Sequence, residues 1–213
     1  TFQTEEKCLQ NVILTNRLRF KGRLPGGIVL HQGVFVNLRK ISILGAGAMG
    51  SAIIKGLLES DKALPNQIVI YDTDSARLKN VVEEYGVLSV GEPELLADDG
   101  TDILLLAVKP QNMEKALVRL KGIIDDKTIV ISIAAGVSTA FLLSILGENT
   151  RLVRSMPNAA ATVRQSATAI CGAGIASETD MAIAGDFFSS IGKVVTVDEK
   201  MMNAVTALSG SGP

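Results

Sequence analysis

Three glycines, Gly45, Gly47 and Gly50, stand in the stretch "ISILGAGAMGSAIIKGLL" (41–58), spaced G-x-G-x-x-G between a short apolar run and an apolar pattern of helical period. Each has a separate use at such a junction. The first permits a tight turn, the second lets a pyrophosphate approach the backbone with no Cβ in the way, and the third lets the helix pack closely on the strand. Unpaired N–H groups at the helix start, aligned with the helix dipole, favour an anion there. Leu44, Gly45, Ala46, Gly47, Ala48, Met49 and Gly50 are therefore the candidate phosphate loop of a dinucleotide site. Asp72 ends the next apolar run, 22 residues beyond Gly50, where a carboxylate reaches the adenosine ribose, with Thr73 beside it. A carboxylate at that place repels a 2′-phosphate and favours NADH slightly. Thr73, Ser75 and Arg77 are also able to hold such a phosphate, so NADPH stays open, and a helix cap is the other role for Asp72.

A second group of candidates lies further along. Ligands of open parallel sheets sit beyond the carboxyl ends of the strands. "LLAVKP" delivers Val108, Lys109 and Pro110 to that rim, "SIAAG" delivers Ala134 and Ala135, and "SMPN" delivers Asn158. Small residues such as Ala134 and Ala135 let a flat nicotinamide ring lie against backbone. Read without a ligand, Lys109 is an exposed cap and the alanines are close packing. The only histidine is His31, and the two cysteines, Cys8 and Cys171, have no metal or redox spacing. The body of the chain thus offers no histidine as base or metal ligand, which leaves out zinc sites and Ser-His-Asp hydrolysis. No catalytic acid and no metal ligand is assigned.

The elements that must carry these residues alternate. Strands are expected at 40–44, 67–72, 87–90, 102–108, 128–133, in "RLVRSMP" and "ATAICG", and at 193–197. Helices are expected at 48–60, 74–84, 111–121, 138–146 and 178–190, with a new one from Glu199. The unbroken apolar run "DILLLAV" is that of a strand covered on both faces. Such alternation implies βαβ units and an α/β fold, a Rossmann-like, doubly wound, mostly parallel sheet. The domain boundaries expected are 1–37, an extension outside the fold; 38–198, the dinucleotide-binding domain; and 199–213, the start of a helical domain.

The chain has 213 residues, 47% of them hydrophobic, enough for a substantial core. Net charge is −1, which gives no ground for nucleic-acid binding. Residues 1–40 hold seven Lys or Arg against two Asp or Glu, and the remainder is mildly acidic. No apolar run reaches the length of a membrane span, about 18 residues, and a cytoplasmic location is expected.

"ILGAGAMGSAIIKGLL", "LLAVKPQ", "SIAAGVS", "RSMPNAAA" and "VTALSGSGP" occur in the order found in the pyrroline-5-carboxylate reductases, and the sequence resembles that family over roughly residues 38–213. The resemblance implies NAD(P)H-dependent reduction of a cyclic imine to L-proline, the last step of proline biosynthesis. It places Gly45 through Met49 at the pyrophosphate, Asp72 and Thr73 at the adenosine ribose, Val108 and Lys109 at the nicotinamide half and Ala135 by the ring. It also implies that Ser209, Gly210, Ser211, Gly212 and Pro213 help bind the substrate carboxylate. Family members continue into a helical domain that interlocks with a partner subunit and completes the pocket. A homo-oligomer follows, and so does little turnover by the 213 residues alone. Three features depart from the family pattern: Asn158 is followed by Ala159-Ala160, Gln165-Ser166 replaces a Glu-Gly pair, and "VGEPELL" lacks an expected Asn. A non-catalytic NAD(P)-binding relative and a β-hydroxyacid dehydrogenase-like oxidoreductase are the alternatives.

Overall fold

The computed structural model describes residues 39–98 and 100–210. The expected extension 1–37 and the residues Ser211, Gly212 and Pro213 lie outside the described residues.

Four strands that read as short apolar runs are completely or almost completely buried: β1 (Ile41–Leu44), β2 (Ile68–Tyr71), β4 (Ile103–Leu106) and β5 (Ile129–Ser132); β6 (Arg151–Met156), with two arginines, is buried except at its ends. With β3 (Leu88–Ser89), β7 (Ser166–Gly174) and β8 (Gly192–Thr196) they make one sheet in the order β3-β2-β1-β4-β5-β6-β7-β8. From β1 in the middle of the sheet the chain winds out through β2 to β3, then returns to β4 on the other side of β1. That reversal places a switch point between β1 and β4, where Ile41 to Leu44 run in register with Ile103 to Leu106.

Strand side chains alternate between the two faces, and each face receives its own helices. Ile41, Ile43, Ile68, Ile70, Ile103, Leu105, Ile129 and Ile131 pack with α1 (Ala48–Glu59) and α5 (Glu178–Ser189), the latter through Ala184, Phe187 and Phe188. α2 (Ser75–Tyr85) joins this layer through Val81. On the opposite face Leu104, Leu106, Val130 and Leu152 pack with α3 (Pro110–Leu120) through Met113, Leu117 and Leu120, and with α4 (Thr139–Leu146) through Leu142 and Leu143. Pro110 opens α3 at the first helical position, where a missing N–H costs nothing. Asp74, rather than Asp72, caps α2, by accepting the Arg77 N–H at 3.0 Å.

The sheet is parallel from β3 to β6 and then changes direction. β6 and β7 are antiparallel, with Met156 opposite Ala169 and Arg151 opposite Gly174. β8 runs parallel to β7. The reversal is made by a 3₁₀ segment, Ala159–Val163, ending at Arg164 in the left-handed conformation (φ 57°), so no crossover helix intervenes. The segment from Glu199 differs from one continuous α-helix: a 3₁₀ turn (Glu199–Met201), α6 (Met202–Val205) and a π turn (Thr206–Gly210) follow one another. Met202 packs on Ala169 and Cys171, while Met201 and Leu208 are exposed.

Candidate functional site

At the glycine loop the three glycines answer to different constraints. Gly45 has φ +107°, and a Cβ on it would lie 2.6 Å from the Ala107 carbonyl oxygen at the end of β4. A Cβ on Gly50 would lie 2.3 Å from the Gly45 carbonyl oxygen. The fold itself demands both. Gly47 is otherwise: its φ is −70°, ordinary for any residue, and a Cβ there would meet nothing within 4 Å. Gly47 is also the N-cap of α1, with no side-chain bond to the free N–H groups and no acidic residue in the first turn. Open space over a helix start that nothing else caps is what a bound pyrophosphate needs, so the residues present fit a dinucleotide. Leu44, Gly45, Ala46 and Gly50 are buried beneath the loop, Ala48 is exposed on it, and Met49 packs partly against the core.

Asp72 stands at the end of β2, where the spacing puts it, but its carboxylate points inward. Oδ2 accepts the Ala46 N–H at 2.8 Å, Oδ1 accepts the Asp74 N–H at 2.9 Å, and Arg77 Nη1 donates to both oxygens at 3.1 and 3.2 Å. The side chain is 8% exposed. Asp72 therefore ties the glycine loop to the β2–α2 turn. Thr73 is exposed beside it.

The same rim is continued by β4 and β5. Ala107 N–H donates to Leu44 O at 2.8 Å, and Ile133 N–H donates to Leu106 O at 3.2 Å, so the β1, β4 and β5 ends are hydrogen-bonded in series. Val108 is half-buried, and Lys109 and Pro110 are exposed at the start of α3. Ala134 is in the core, leaving only its backbone to a ligand, and Ala135 is half-buried next to it. The structure thus brings the glycine loop, Val108 and the alanines to one rim.

Beyond β6, Asn158 collects the substrate-side candidates. Its backbone N–H donates to Ser166 Oγ at 3.2 Å, and its side-chain Nδ2 donates to Ser209 Oγ at 3.0 Å. Gly210 lies against Met156, where a Cβ would come within 2.5 Å of the methionine methyl. Asn158 Oδ1 is buried without a partner among the described residues. A buried amide oxygen with no donor is costly, by about 1–3 kcal/mol. Of the departing pair, Gln165 is exposed, whereas Ser166 is buried and shares a hydrogen bond with Thr168.

Sequence reasoning missed one cluster. Glu199 accepts from Thr139 N–H at 2.7 Å, from Thr139 Oγ1 at 2.5 Å and from Arg154 Nη1 at 3.0 Å. Burial pushes the Glu199 carboxyl up, but the Thr139 and Arg154 donors outweigh it and hold it below its ordinary value of 4.5. Burial pushes the neighbouring Cys171 thiol up to about 11, so it is unreactive. The one available signal was Arg154 itself, a charge inside a strand otherwise buried. A cleft of about 610 Å³ between α5 and β8, lined by Ile170, Met181, Gly185 and Lys193, shares no residue with the rim. It holds none of the candidate residues.

A glycine loop at a switch point, a carboxylate at the end of β2 and small residues at the β5 end make a Rossmann-like fold with a rim suited to a nucleotide. Residues 40–136 match the family described as NADP oxidoreductase coenzyme F420-dependent. A pyrroline-5-carboxylate reductase of Methanosarcina acetivorans is 41% identical over 175 residues, covering 82% of this chain and 64% of its own length. One of Arabidopsis thaliana is 35% identical over 174 residues, 82% of this chain and 62% of that protein. Among solved structures, the Coxiella burnetii reductase superposes with a TM-score of 0.78 at 32% identity, over 83% of this chain and 66% of that one. The chain is thus similar to pyrroline-5-carboxylate reductases over more than four fifths of its own length. It spans less than two thirds of the length of these relatives. A prephenate dehydrogenase from Aquifex aeolicus, at 15% identity and a TM-score of 0.67, shares the fold.

Proposed function

We propose that this chain is the dinucleotide-binding part of an enzyme that reduces 1-pyrroline-5-carboxylate to L-proline with a reduced nicotinamide dinucleotide. The observation that carries the reading is the identity of 41% to a reductase of that name, over a stretch that includes the whole rim. A Plasmodium falciparum pyrroline carboxylate reductase solved with NADP bound has the same fold at a TM-score of 0.74 and 27% identity, which supports a nicotinamide dinucleotide as the cofactor class.

The nicotinamide, when bound, supplies the hydride. The chain's own residues bind and orient. The open face of Gly47 and the uncapped start of α1 hold the pyrophosphate. The backbone at Ala134 and Ala135, with Val108 across from it, gives a flat seat at the β4 and β5 ends. Asn158 holds Ser209 beside the rim, on the side where the substrate carboxylate binds in this reading. Alignment of this kind supplies up to about 7–11 kcal/mol of a barrier. A cyclic imine that arrives N-protonated from solvent needs no side-chain acid, which agrees with a body lacking histidine. In this reading the segment that follows Gly210 in the family completes the pocket, together with a second copy of the chain.

The test is a titration of the chain with NADH and NADPH, followed by a spectrophotometric assay of nicotinamide oxidation with pyrroline-5-carboxylate. Binding of either dinucleotide, with oxidation once a relative's C-terminal segment is joined after Pro213, is expected. A folded chain that binds neither at millimolar concentration overturns the reading.

A further inference from the structure

The Asp72 carboxylate has no acceptor capacity left. An ionised carboxylate offers about four lone-pair sites. Here all are taken: the Ala46 and Asp74 N–H groups fill one on each oxygen, and Arg77 Nη1 approaches both. At 8% exposure the group is also closed to solvent. A ribose hydroxyl therefore finds no free acceptor on Asp72 unless Arg77 leaves. Arg77 itself spans two carboxylates, with Nη2 3.1 Å from Asp74 Oδ2, and stays 46% exposed. Its Nε–H and second Nη2–H have no partner among the described residues. The group presented to a nucleotide at the end of β2 is thus a guanidinium lying over a nearly buried anion.

We propose that Arg77, rather than Asp72, is the specificity-determining residue at the adenosine end, and that it admits a phosphate on the ribose 2′ position. This rests on the dinucleotide reading above. Asp72, Asp74 and Arg77 together carry a formal charge of −1, and without the arginine they carry −2. A 2′-phosphate adds two negative charges at this place, so the arginine both weakens the repulsion and supplies two charge-assisted donors to phosphate oxygens. An unphosphorylated ribose gains little from it. Asp72 keeps a positioning role, in which it holds the Ala46 N–H and so the glycine loop.

The experiment uses two probes that differ only by the 2′-phosphate, 5′-AMP and adenosine 2′,5′-bisphosphate, titrated calorimetrically into the 213-residue chain. The wild type is expected to bind the bisphosphate at least as tightly as 5′-AMP. In Arg77→Ala the affinity for the bisphosphate is expected to fall about tenfold or more relative to 5′-AMP. The comparison is a ratio within one protein, so a general loss of stability cancels. A wild type that prefers 5′-AMP by about tenfold overturns the proposal and restores Asp72 as the reader of the ribose. An unchanged ratio in the variant overturns it as well, while leaving the dinucleotide reading intact. Failure of both probes, with NADH and NADPH also unbound, removes the reading and the proposal together.

Discussion

Glu199 meets Arg154 at 3.0 Å across 45 residues of sequence, and Arg154 is only 5% exposed. The same carboxylate caps the first turn of α4 through the Thr139 N–H and hydroxyl. Three elements therefore meet at one anion: β6, which leads to Asn158; the start of α4, which follows the Ala134–Ala135 loop; and the turn that leads to Ser209. The elements that lead to the two sides of the rim are held by a single side chain.

Removing that side chain leaves a buried guanidinium with no partner. Glu199→Ala is expected to destabilise the chain by about 2–3 kcal/mol, the cost of stranding a buried charged donor. Glu199→Gln keeps an acceptor for Thr139 and is expected to cost less. Urea unfolding followed by circular dichroism reads both. Equal stability in the Ala variant and the parent would show that water or another acceptor satisfies Arg154.

Acid is expected to weaken the fold through two depressed carboxylates. Asp180 is 0% exposed; burial pushes its carboxyl up, but Arg151 and the Ser177 N–H and hydroxyl outweigh this and hold it below 3.8. Glu199 is held below 4.5 in the same way. A group with a depressed folded pKa contributes stability that is complete above its unfolded pKa and lost as pH falls through the folded one. Stability should therefore be flat from neutrality to about pH 5 and decline below it. Asp180→Asn should lower stability at neutral pH and flatten the acid limb, seen in unfolding midpoints measured from pH 7 to 3. A variant with the parent's full acid slope would place the titration elsewhere.

The second glycine of the loop separates fold from binding. Gly47→Ala puts a methyl into open space at an ordinary backbone conformation. Its unfolding free energy should move by less than about 0.5 kcal/mol. The methyl stands where a pyrophosphate would pass, so affinity for NADH and NADPH should drop about tenfold or more. Gly45→Ala reverses the pattern, because φ +107° and the Ala107 carbonyl at 2.6 Å resist a Cβ before any ligand arrives. Calorimetric binding beside thermal unfolding distinguishes the two. A Gly47→Ala variant that binds as the parent does would remove the loop from the cofactor site.

Much of this architecture is written in local pattern. Ile41-x-Ile43 and Ile68-x-Ile70 face one layer while Leu104-x-Leu106 faces the other, and uninterrupted apolar runs of that length signalled strands covered on both sides. The glycine loop between β1 and α1 was legible for the same local reason. The reversal at β7 was not, because strand direction is set by the 3₁₀ turn at 159–163, which has no periodicity to read. Nor was the state of Asp72, whose role depends on the path of the Arg77 side chain and on Ala46 turning its N–H inward. Glu199 was out of reach altogether, since its partners stand 45 and 60 residues away.

The bond between Asp72 and Ala46 yields the final expectation. Ala46 is 1% exposed, and its N–H has the Asp72 carboxylate as its partner at 2.8 Å. Asp72→Ala leaves that donor buried and unpaired, a cost of about 1–3 kcal/mol. It also releases the Asp74 N–H and half of the Arg77 fork, though both are exposed enough to find water. Most of the loss should therefore come from the loop. Urea unfolding gives the size of the effect, and amide hydrogen exchange gives its place: protection at Ala46 should collapse while Ile43 and Leu105, in the sheet beneath, keep theirs. Unaltered protection at Ala46 would mean that the loop holds its shape without the carboxylate.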